Sequence, residues 1–201
     1  MHSVTTLRYR WGYSLWLVIV VALCSVQELA AQTADSKVFS VLAAGVVKDN
    51  RTGLEWMRCS LGQEWSDSNK TCVGEIIKFN WQGAQDAAAR QNSSGGIAGR
   101  TGWRVPSVRE LQSIRYCSKG AKAEKIDLLD NQPAVSAACV NGSSSPTIEG
   151  VIFPATPDTW YWTSTAYTGY PAGAWYVHFF NGVSKYTNYR GNYVAPVRLV
   201  R

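Results

Sequence analysis

Runs of apolar residues separated by polar turns predict strands near both ends of the chain. Residues 46–48 and 54–57 are two such runs, and the polar stretch 49–53 between them ends in glycine. Two apolar-bearing runs joined by a short polar turn are typical of a β-hairpin. We therefore expect the folded domain to begin with a hairpin over residues 46–57.

Two segments in the middle of the chain carry the start signals of helices. Asn80 has a side chain that can cap a helix beginning at the next residue. Ser107 and Glu110 have the spacing of a capping box, in which each side chain binds the backbone N–H of the other residue. The apolar positions that share a face are Trp81, Ala84 and Ala88 in the first helix and Leu111 and Ile114 in the second. Both faces are narrow, so each helix is expected to lie against a sheet.

The last third of the chain is rich in aromatic and β-branched residues, which favour strands. The predicted strands are 160–165, 174–180, 183–187 and 193–200. Asn181 and Gly182 predict a type I′ turn between the second and third of these strands. Pro196 lacks a backbone donor, which suits an edge strand or a bulge. With residues 118–158 expected to be irregular, the pattern predicts an α+β domain, with two short helices packed on an antiparallel sheet.

The start of the chain has the charge and hydropathy pattern of a signal peptide. Arg8 and Arg10 precede the uncharged stretch 11–26, whose centre over 15–23 is apolar, and small residues follow at positions 30 and 31. An uncleaved membrane anchor is less favoured, because a bilayer span needs about 20 apolar residues and this stretch is shorter. Lipid attachment at Cys24 stays open. We expect a signal peptide over 1–31, a secreted, periplasmic or cell-surface protein, and no stable membrane span after cleavage.

The mature chain is expected to form one domain. About 170 residues remain after cleavage, which is enough for one sizeable core, and no long linker divides them. We predict a lead-in segment over 32–45, disordered as far as Ser40, and a single domain over 46–201.

The charge of the mature chain is moderately basic. The chain has 20 Lys and Arg against 14 Asp and Glu, a net charge of +6. Loss of the leader lowers this to about +5. Such a charge favours anionic partners, among them sulfated or uronic-acid glycans, through an attraction that salt screens. No dense run of Lys and Arg is present, so nucleic-acid binding is not expected.

Four cysteines remain after cleavage: Cys59, Cys72, Cys117 and Cys139. They allow three pairings, and the sequence does not decide among them. In an oxidising compartment, local pairs would each close a short loop and stabilise the fold by about 3 kcal/mol. Zinc binding is disfavoured, because no Cys-x-x-Cys motif occurs and His178 is the sole histidine of the mature chain.

Five segments carry a resemblance to a known family. They are 49–57, 80–84, 102–111, 161–165 and 193–198. In this order they resemble a bacterial domain family of unknown function that includes the C-terminal domain of the Legionella collagen-like adhesin. The resemblance implies a C-type lectin-like fold, in which the first and last strands lie together and two helices flank the sheet. It also implies a relation to the formylglycine-generating enzyme fold.

The chain departs from the pattern of this family at two positions. Gly102 stands where an aspartate is common, which puts a carboxylate role there in doubt. Pro196 stands where a cysteine is common, which leaves the other four cysteines to pair among themselves.

Enzymatic chemistry has little support in the sequence. His178 lies in a strand-like run without an evident nucleophile beside it. Cys117 and Cys139 lack the spacing of a redox pair, so a structural bridge is favoured. A calcium site would need clustered acidic oxygens, and only Asp158 lies near the predicted strands. We expect no enzyme activity, no cofactor and no metal.

The end of the predicted hairpin carries the candidate ligand-binding residues. They are Lys185, Tyr186, Asn188, Tyr189 and Arg190. Tyrosine faces can stack on sugar rings, amides can bind hydroxyls, and the two cations can pair with sulfate or carboxylate. Tyr167 and Tyr170 would extend this surface. An ordinary exposed hairpin edge is the competing interpretation. Four tryptophans, Trp56, Trp81, Trp103 and Trp162, are expected to be structural, as is Arg104.

The leading functional hypothesis is an exported recognition or adhesion module that binds an anionic glycan. The alternative is a structural or accessory subunit that binds an envelope protein in a surface assembly. An enzyme related to the formylglycine-generating fold comes third. An oligomer is compatible with each hypothesis, and the sequence leaves the oligomeric state open.

Overall fold

A computed structural model describes residues 38–43, 45–123, 137–187 and 190–201. The predicted signal peptide, Cys24 and two of the candidate binding residues, Asn188 and Tyr189, lie outside the described residues. The elements below belong to one compact unit, Phe39–Arg201.

The first sheet has three antiparallel strands in the order β1-β2-β3: β1 Phe39–Ala43, β2 Val46–Asp49 and β3 Glu55–Met57. The β2–β3 pair confirms the predicted hairpin. Its turn closes through a 2.8 Å hydrogen bond from Gly53 N to Asp49 O. β1 was not predicted, and it includes Phe39 and Ser40, which were expected to be disordered. Phe39 is buried with its ring edge on Phe153, and this packing anchors β1.

Two short hairpins, also not predicted, are each tied by a disulfide. β4 Glu64–Ser66 pairs with β5 Thr71–Val73, and the Cys59–Cys72 bridge ends within β5. β6 Ala121–Ala123 pairs with β7 Ala137–Cys139, and the Cys117–Cys139 bridge ends at the last residue of β7. The second pair lies in the region that was expected to be irregular. Strands of three residues have too few alternating positions to stand out in a sequence.

Both predicted helices form at the expected start signals. α1, Trp81–Ser93, begins after Asn80, whose side chain accepts a 2.7 Å hydrogen bond from Gly83 N. α2, Val108–Ser113, begins after Ser107, and both hydrogen bonds of the capping box with Glu110 are present. α1 packs on the strand Trp160–Tyr167, and α2 packs on that strand and on the strand Gly173–His178. Both helices thus lie against a sheet, as their narrow apolar faces indicated.

The C-terminal sheet has the order β10-β9-β8, with β8 Trp160–Tyr167, β9 Gly173–His178 and β10 Val183–Thr187. The predicted two-residue type I′ turn is wrong. β9 ends at His178, because Phe179 turns aside to bind Thr159 O and to accept from Thr147 N. A four-residue loop results, closed by a 2.7 Å hydrogen bond from Gly182 N to His178 O.

The predicted final strand over 193–200 is not a continuous strand. The segment is extended, but only isolated bridges join it to its neighbours, at Ala195 and at Val200. Pro196 cannot donate, although its carbonyl accepts from Trp162 N at 3.2 Å. The segment crosses the core, where its residues Ala195, Val197, Arg198, Leu199 and Val200 are fully buried.

Arg198 is a buried cation that binds backbone carbonyls. Its Nη1 donates to Met57 O at 2.9 Å and also to Arg58 O, and its Nη2 donates to Thr156 Oγ1 at 2.6 Å. The guanidinium lies 4.8 Å from the ring centroid of Phe153. Burial lowers the pKa of Arg198 below its ordinary value. Arg198 therefore fastens the C-terminal segment to β3 and to the loop that precedes β8.

Candidate ligand-binding surface

One face of the C-terminal sheet presents a cluster of aromatic rings. Trp160, at the start of β8, lies 4.9 Å from Tyr176 on β9 and 5.6 Å from Tyr193, measured between ring centroids in edge-to-face geometry. Trp160 and Tyr176 are half-buried against the core, and Tyr193 is 46% exposed. We call these three side chains the aromatic platform. Their exposed parts give a surface on which the apolar face of a sugar ring can stack.

Lys185 lies beside the aromatic platform. It pairs directly with Tyr176 across β9 and β10, and such cross-strand partners project from the same face of a sheet. Its side chain is exposed and forms no ion pair with any residue that the structure describes. The platform is thus flanked by a cation whose charge is available to an anionic ligand.

His178 lies on the same face of the sheet as Tyr176, and its direct cross-strand partner on β8 is Trp160. Burial lowers the pKa of His178 below its ordinary value; the charge of Asp158 opposes this shift and that of Lys185 adds to it. Its Nδ1 accepts a 3.1 Å hydrogen bond from Phe180 N, which leaves the proton on Nε2. His178 is therefore a neutral donor at pH 7.

Tyr176 is also held in its neutral form. Its pKa is raised above its ordinary value, first by burial and then by the neighbouring Tyr193 hydroxyl. Tyr176 consequently keeps its proton at neutral pH and can donate a hydrogen bond to an oxygen-rich ligand.

The structure places two of the predicted binding residues, Lys185 and Tyr186, on opposite faces of the sheet. Tyr186 adjoins Lys185 in β10, so its side chain points to the opposite face of the sheet. There its ring stacks on Tyr167 at 3.7 Å and contacts the edge of Trp175 at 5.5 Å. Tyr186 thus packs against aromatic rings on the opposite face of the sheet. Of these two β10 residues, Lys185 alone lies on the face of the aromatic platform.

Arg190 is partly engaged within the protein. Its guanidinium carbon lies 4.0 Å from the ring centroid of Trp81, and its Nη1 donates to Gly173 O at 3.3 Å. Its backbone binds Ala172 O and accepts from Trp81 N. Arg190 therefore holds the start of α1 beside β9, and its other guanidinium N–H groups face no described acceptor.

The structural roles expected for Trp103 and Arg104 are present. Trp103 is 2% exposed, and its indole N–H donates to Arg100 O at 2.6 Å. Arg104 donates two hydrogen bonds, of 2.7 and 2.8 Å, to the carboxylate of Glu110. Trp56 and Trp162 are fully buried. These residues form the core and the helix start, away from a ligand surface.

The aromatic platform was missed because its members come from three separate segments. Trp160, Tyr176 and Tyr193 share no local motif, and they meet only through the β8–β9 register and the course of the C-terminal segment. Period-2 alternation could have placed Tyr176 and Lys185 on one face had the strand pairing been known.

The described residues offer no group of three His, Cys, Asp or Glu side chains that could hold a metal ion. Within the same residues, neither helix has the length and apolar composition needed to cross a bilayer.

These features define a small α+β domain braced by two disulfides, which is typical of proteins that mature outside the reducing cytoplasm. A family model, the Lcl C-terminal domain, matches residues 45–201. The chain belongs to this family, which confirms the resemblance seen in the sequence and makes it an adhesin-related domain. No curated protein and no solved structure matches the chain.

Proposed function

We propose that this domain is an exported recognition module that binds an anionic polysaccharide on the aromatic platform. The observation that carries the proposal is the contact of Trp160 with Tyr176 and Tyr193 beside an unpaired Lys185. Rings would stack on the apolar face of a sugar, and Lys185 would attract its sulfate or carboxylate. The net charge, +6 for the whole chain and about +5 without the leader, adds a long-range attraction for polyanions.

The polar groups around the platform suit the same ligand. His178 Nε2 and the two tyrosine hydroxyls would donate to sugar hydroxyls or to sulfate oxygens. Arg190 would supply a second cation through the N–H groups that its contacts with Trp81 and Gly173 leave open. We propose this role for Lys185 and Arg190, whereas Tyr186 would support the sheet from behind.

We also propose that the fold is C-type lectin-like. Two arrangements support this: the C-terminal residues Leu199 and Arg201 hydrogen-bond to β3 near the start of the domain, and two helices pack on the C-terminal sheet. The domain would act as a binder without catalysis, since all four described cysteines are held in disulfides.

Salt-dependent binding tests the glycan proposal. The disulfide-bonded protein is titrated with a sulfated polysaccharide and with its desulfated form, at low and at high salt, by isothermal calorimetry. We expect binding of the sulfated form only, with an affinity that falls as salt rises. Absence of salt-sensitive binding would refute the proposal.

Two variants locate the site. Lys185→Gln should weaken binding about two- to fivefold, the worth of one exposed ion pair of about 0.5–1 kcal/mol. Tyr193→Ala should cost a similar amount through lost stacking, about 0.5–1.5 kcal/mol. Lys48→Gln is the matched control, because Lys48 is an exposed strand lysine of the other sheet. Equal losses of glycan affinity in Lys185→Gln and Lys48→Gln would show that binding depends on the net charge of the protein and not on a site at Lys185.

A protein partner is the second candidate. Phe180 is 58% exposed next to His178 and adds apolar surface to this side of the sheet. The domain would then be a structural or accessory subunit of an envelope assembly. A purified envelope protein that binds and is released by Phe180→Ser, together with failure of the sulfated glycan to bind, would favour this function.

A further inference from the structure

A second concave surface lies away from the aromatic platform. A cleft of about 680 Å³ separates the second half of α1 from the segment that leads into β4. Its floor is apolar and consists of Met57, Leu61 and Ala87, each less than a tenth exposed. Its volume lies within the range of about 300–1,000 Å³ that is typical of small-molecule sites. None of its lining residues belongs to the platform.

Two opposite charges line this cleft without a partner. Arg90 lies in the last turn of α1, and Glu64 is the first residue of β4. Both are exposed, and neither side chain forms an ion pair or hydrogen bond within the part of the chain that the structure describes. The helix side of the cleft is therefore cationic and the β4 side anionic.

Two glutamine side chains line the cleft, and each is held by one hydrogen bond between its amide group and the backbone. Gln63 Oε1 accepts from Ser60 N at 3.3 Å, which leaves the amide NH₂ of Gln63 as a donor. Gln91 Nε2 donates to Gly96 O at 2.8 Å, which leaves the carbonyl oxygen of Gln91 as an acceptor. The cleft thus presents an oriented donor and an oriented acceptor above its apolar floor.

The wall that carries Glu64 and Gln63 is covalently braced. Cys59 lines the cleft, and its disulfide to Cys72 joins the segment that follows β3 to the β4–β5 hairpin. At Gly62, which has φ +96°, an added Cβ would lie 2.5 Å from Glu75 O, so only glycine fits where this wall packs against the segment at Glu75. A rigid wall lowers the entropy cost of binding a ligand.

We propose that this cleft binds a short zwitterionic peptide of two or three residues. Arg90 would hold the terminal carboxylate, Glu64 the terminal ammonium group, and the Met57–Leu61–Ala87 floor an apolar side chain. The two oriented amides would bind the peptide bond, which itself carries one acceptor and one donor.

Charge complementarity favours this ligand over the others that the cleft could admit. A polyanion would bring negative charge next to Glu64, and a purely apolar ligand would desolvate both Glu64 and Arg90 without compensating either. Only a ligand with separated charges of both signs and an apolar part matches every feature of the lining. The inference is independent of glycan binding, because the cleft and the aromatic platform share no residue.

The experiment is a titration of the isotope-labelled, disulfide-bonded protein with leucyl-alanine up to ~10 mM, followed by two-dimensional amide NMR. We expect shifts confined to amides in residues 57–65 and 87–98. N-acetyl-leucinamide, which has the same apolar side chain but no charge, is the ligand control. It should cause little or no change.

Three variants complete the test. Arg90→Gln and Glu64→Gln should each weaken leucyl-alanine binding about three- to fivefold, and the pair together should abolish it at ~10 mM. Arg109→Gln, which removes an exposed arginine from α2, should leave binding unchanged. The proposal is overturned if leucyl-alanine causes no shifts in the cleft, if N-acetyl-leucinamide binds equally well, or if Arg109→Gln weakens binding as much as Arg90→Gln.

Discussion

Replacement of Glu110 by glutamine is expected to lower the free energy of unfolding without altering the fold. The Glu110 carboxylate accepts from Arg104 through both oxygens and from Ser107 N at 2.7 Å. It also lies in the first turn of α2, where a negative charge is favoured by the helix dipole. The variant keeps the shape of the side chain and one acceptor, but it loses the charge that all three interactions share.

The size of the effect follows from the pKa of Glu110. The hydrogen bonds from Arg104 are the main cause that lowers it from its ordinary 4.5 to about 2. By linkage this difference corresponds to about 3 kcal/mol. Because the Arg104 side chain is 48% exposed, solvent screening reduces the expected loss to about 1–2 kcal/mol. For a domain of this size that is a fall in melting temperature of about 3–8 °C.

The sign of the pH dependence is fixed by the direction of the shift. A carboxyl group with a depressed pKa stabilises the fold fully above its ordinary pKa, here 4.5, and loses this contribution as the pH falls toward 2. The gap between wild type and Glu110→Gln should therefore be largest at neutral pH. It should shrink to less than half by about pH 3.

Urea denaturation followed by tryptophan fluorescence measures both quantities, at neutral pH and at about pH 3. Glu75→Gln is the matched control, because Glu75 is exposed and its side chain has no described partner; it should change the unfolding free energy by less than about 0.5 kcal/mol. A gap between wild type and Glu110→Gln that stays constant with pH would refute the assignment of the effect to the Glu110 charge.

Three further stability predictions rest on contacts inside the fold. Arg198→Gln should cost about 3 kcal/mol in urea unfolding, because buried carbonyls lose their donor; a loss below about 1 kcal/mol would contradict this. Replacing Cys117 and Cys139 by serine should cost about 3 kcal/mol, since their bridge spans 22 residues, and calorimetry should show a clearly lower melting temperature. Asn92→Ala should cost about 1–2 kcal/mol, because Asn92 binds both the N–H and the carbonyl of Trp103; an unchanged urea midpoint would show that those bonds are replaced by water.

The helices and the first hairpin could be predicted because their signals are local. Asn80, Ser107 and Glu110 act on backbone groups within three residues, so the sequence contains both partners of each capping bond. The α+β class follows from these elements and the β-rich last third. The pairing of the cysteines was open in the sequence, and the structure resolves it in favour of the two local bridges.

The hairpin loop and the final strand could not be predicted, because distant partners decide them. Phe179 leaves the strand to bind Thr159 and Thr147, which are 20 and 32 residues away in the chain. The segment around Pro196 is divided among β3, β8 and Arg104, so no single ladder forms. The residues of the aromatic platform could not be predicted for the same reason. The pairing of β9 with β10 places Lys185 directly opposite Tyr176, and this pairing is needed to see that Lys185 lies on the face of the aromatic platform.

The C-terminal segment supports both proposed binding surfaces. Leu199 O accepts from Met57 N beneath the cleft, while Pro196 O accepts from Trp162 N in the strand that carries the aromatic platform. A substitution within the buried segment would therefore disturb glycan and peptide binding together. Such a variant could not show which surface binds which ligand. Lys185 and Arg90 are exposed and belong to other elements, β10 and α1. Because each lies at one surface only, loss of glycan binding with peptide binding intact in Lys185→Gln, and the reverse in Arg90→Gln, would separate two sites from a general loss of structure.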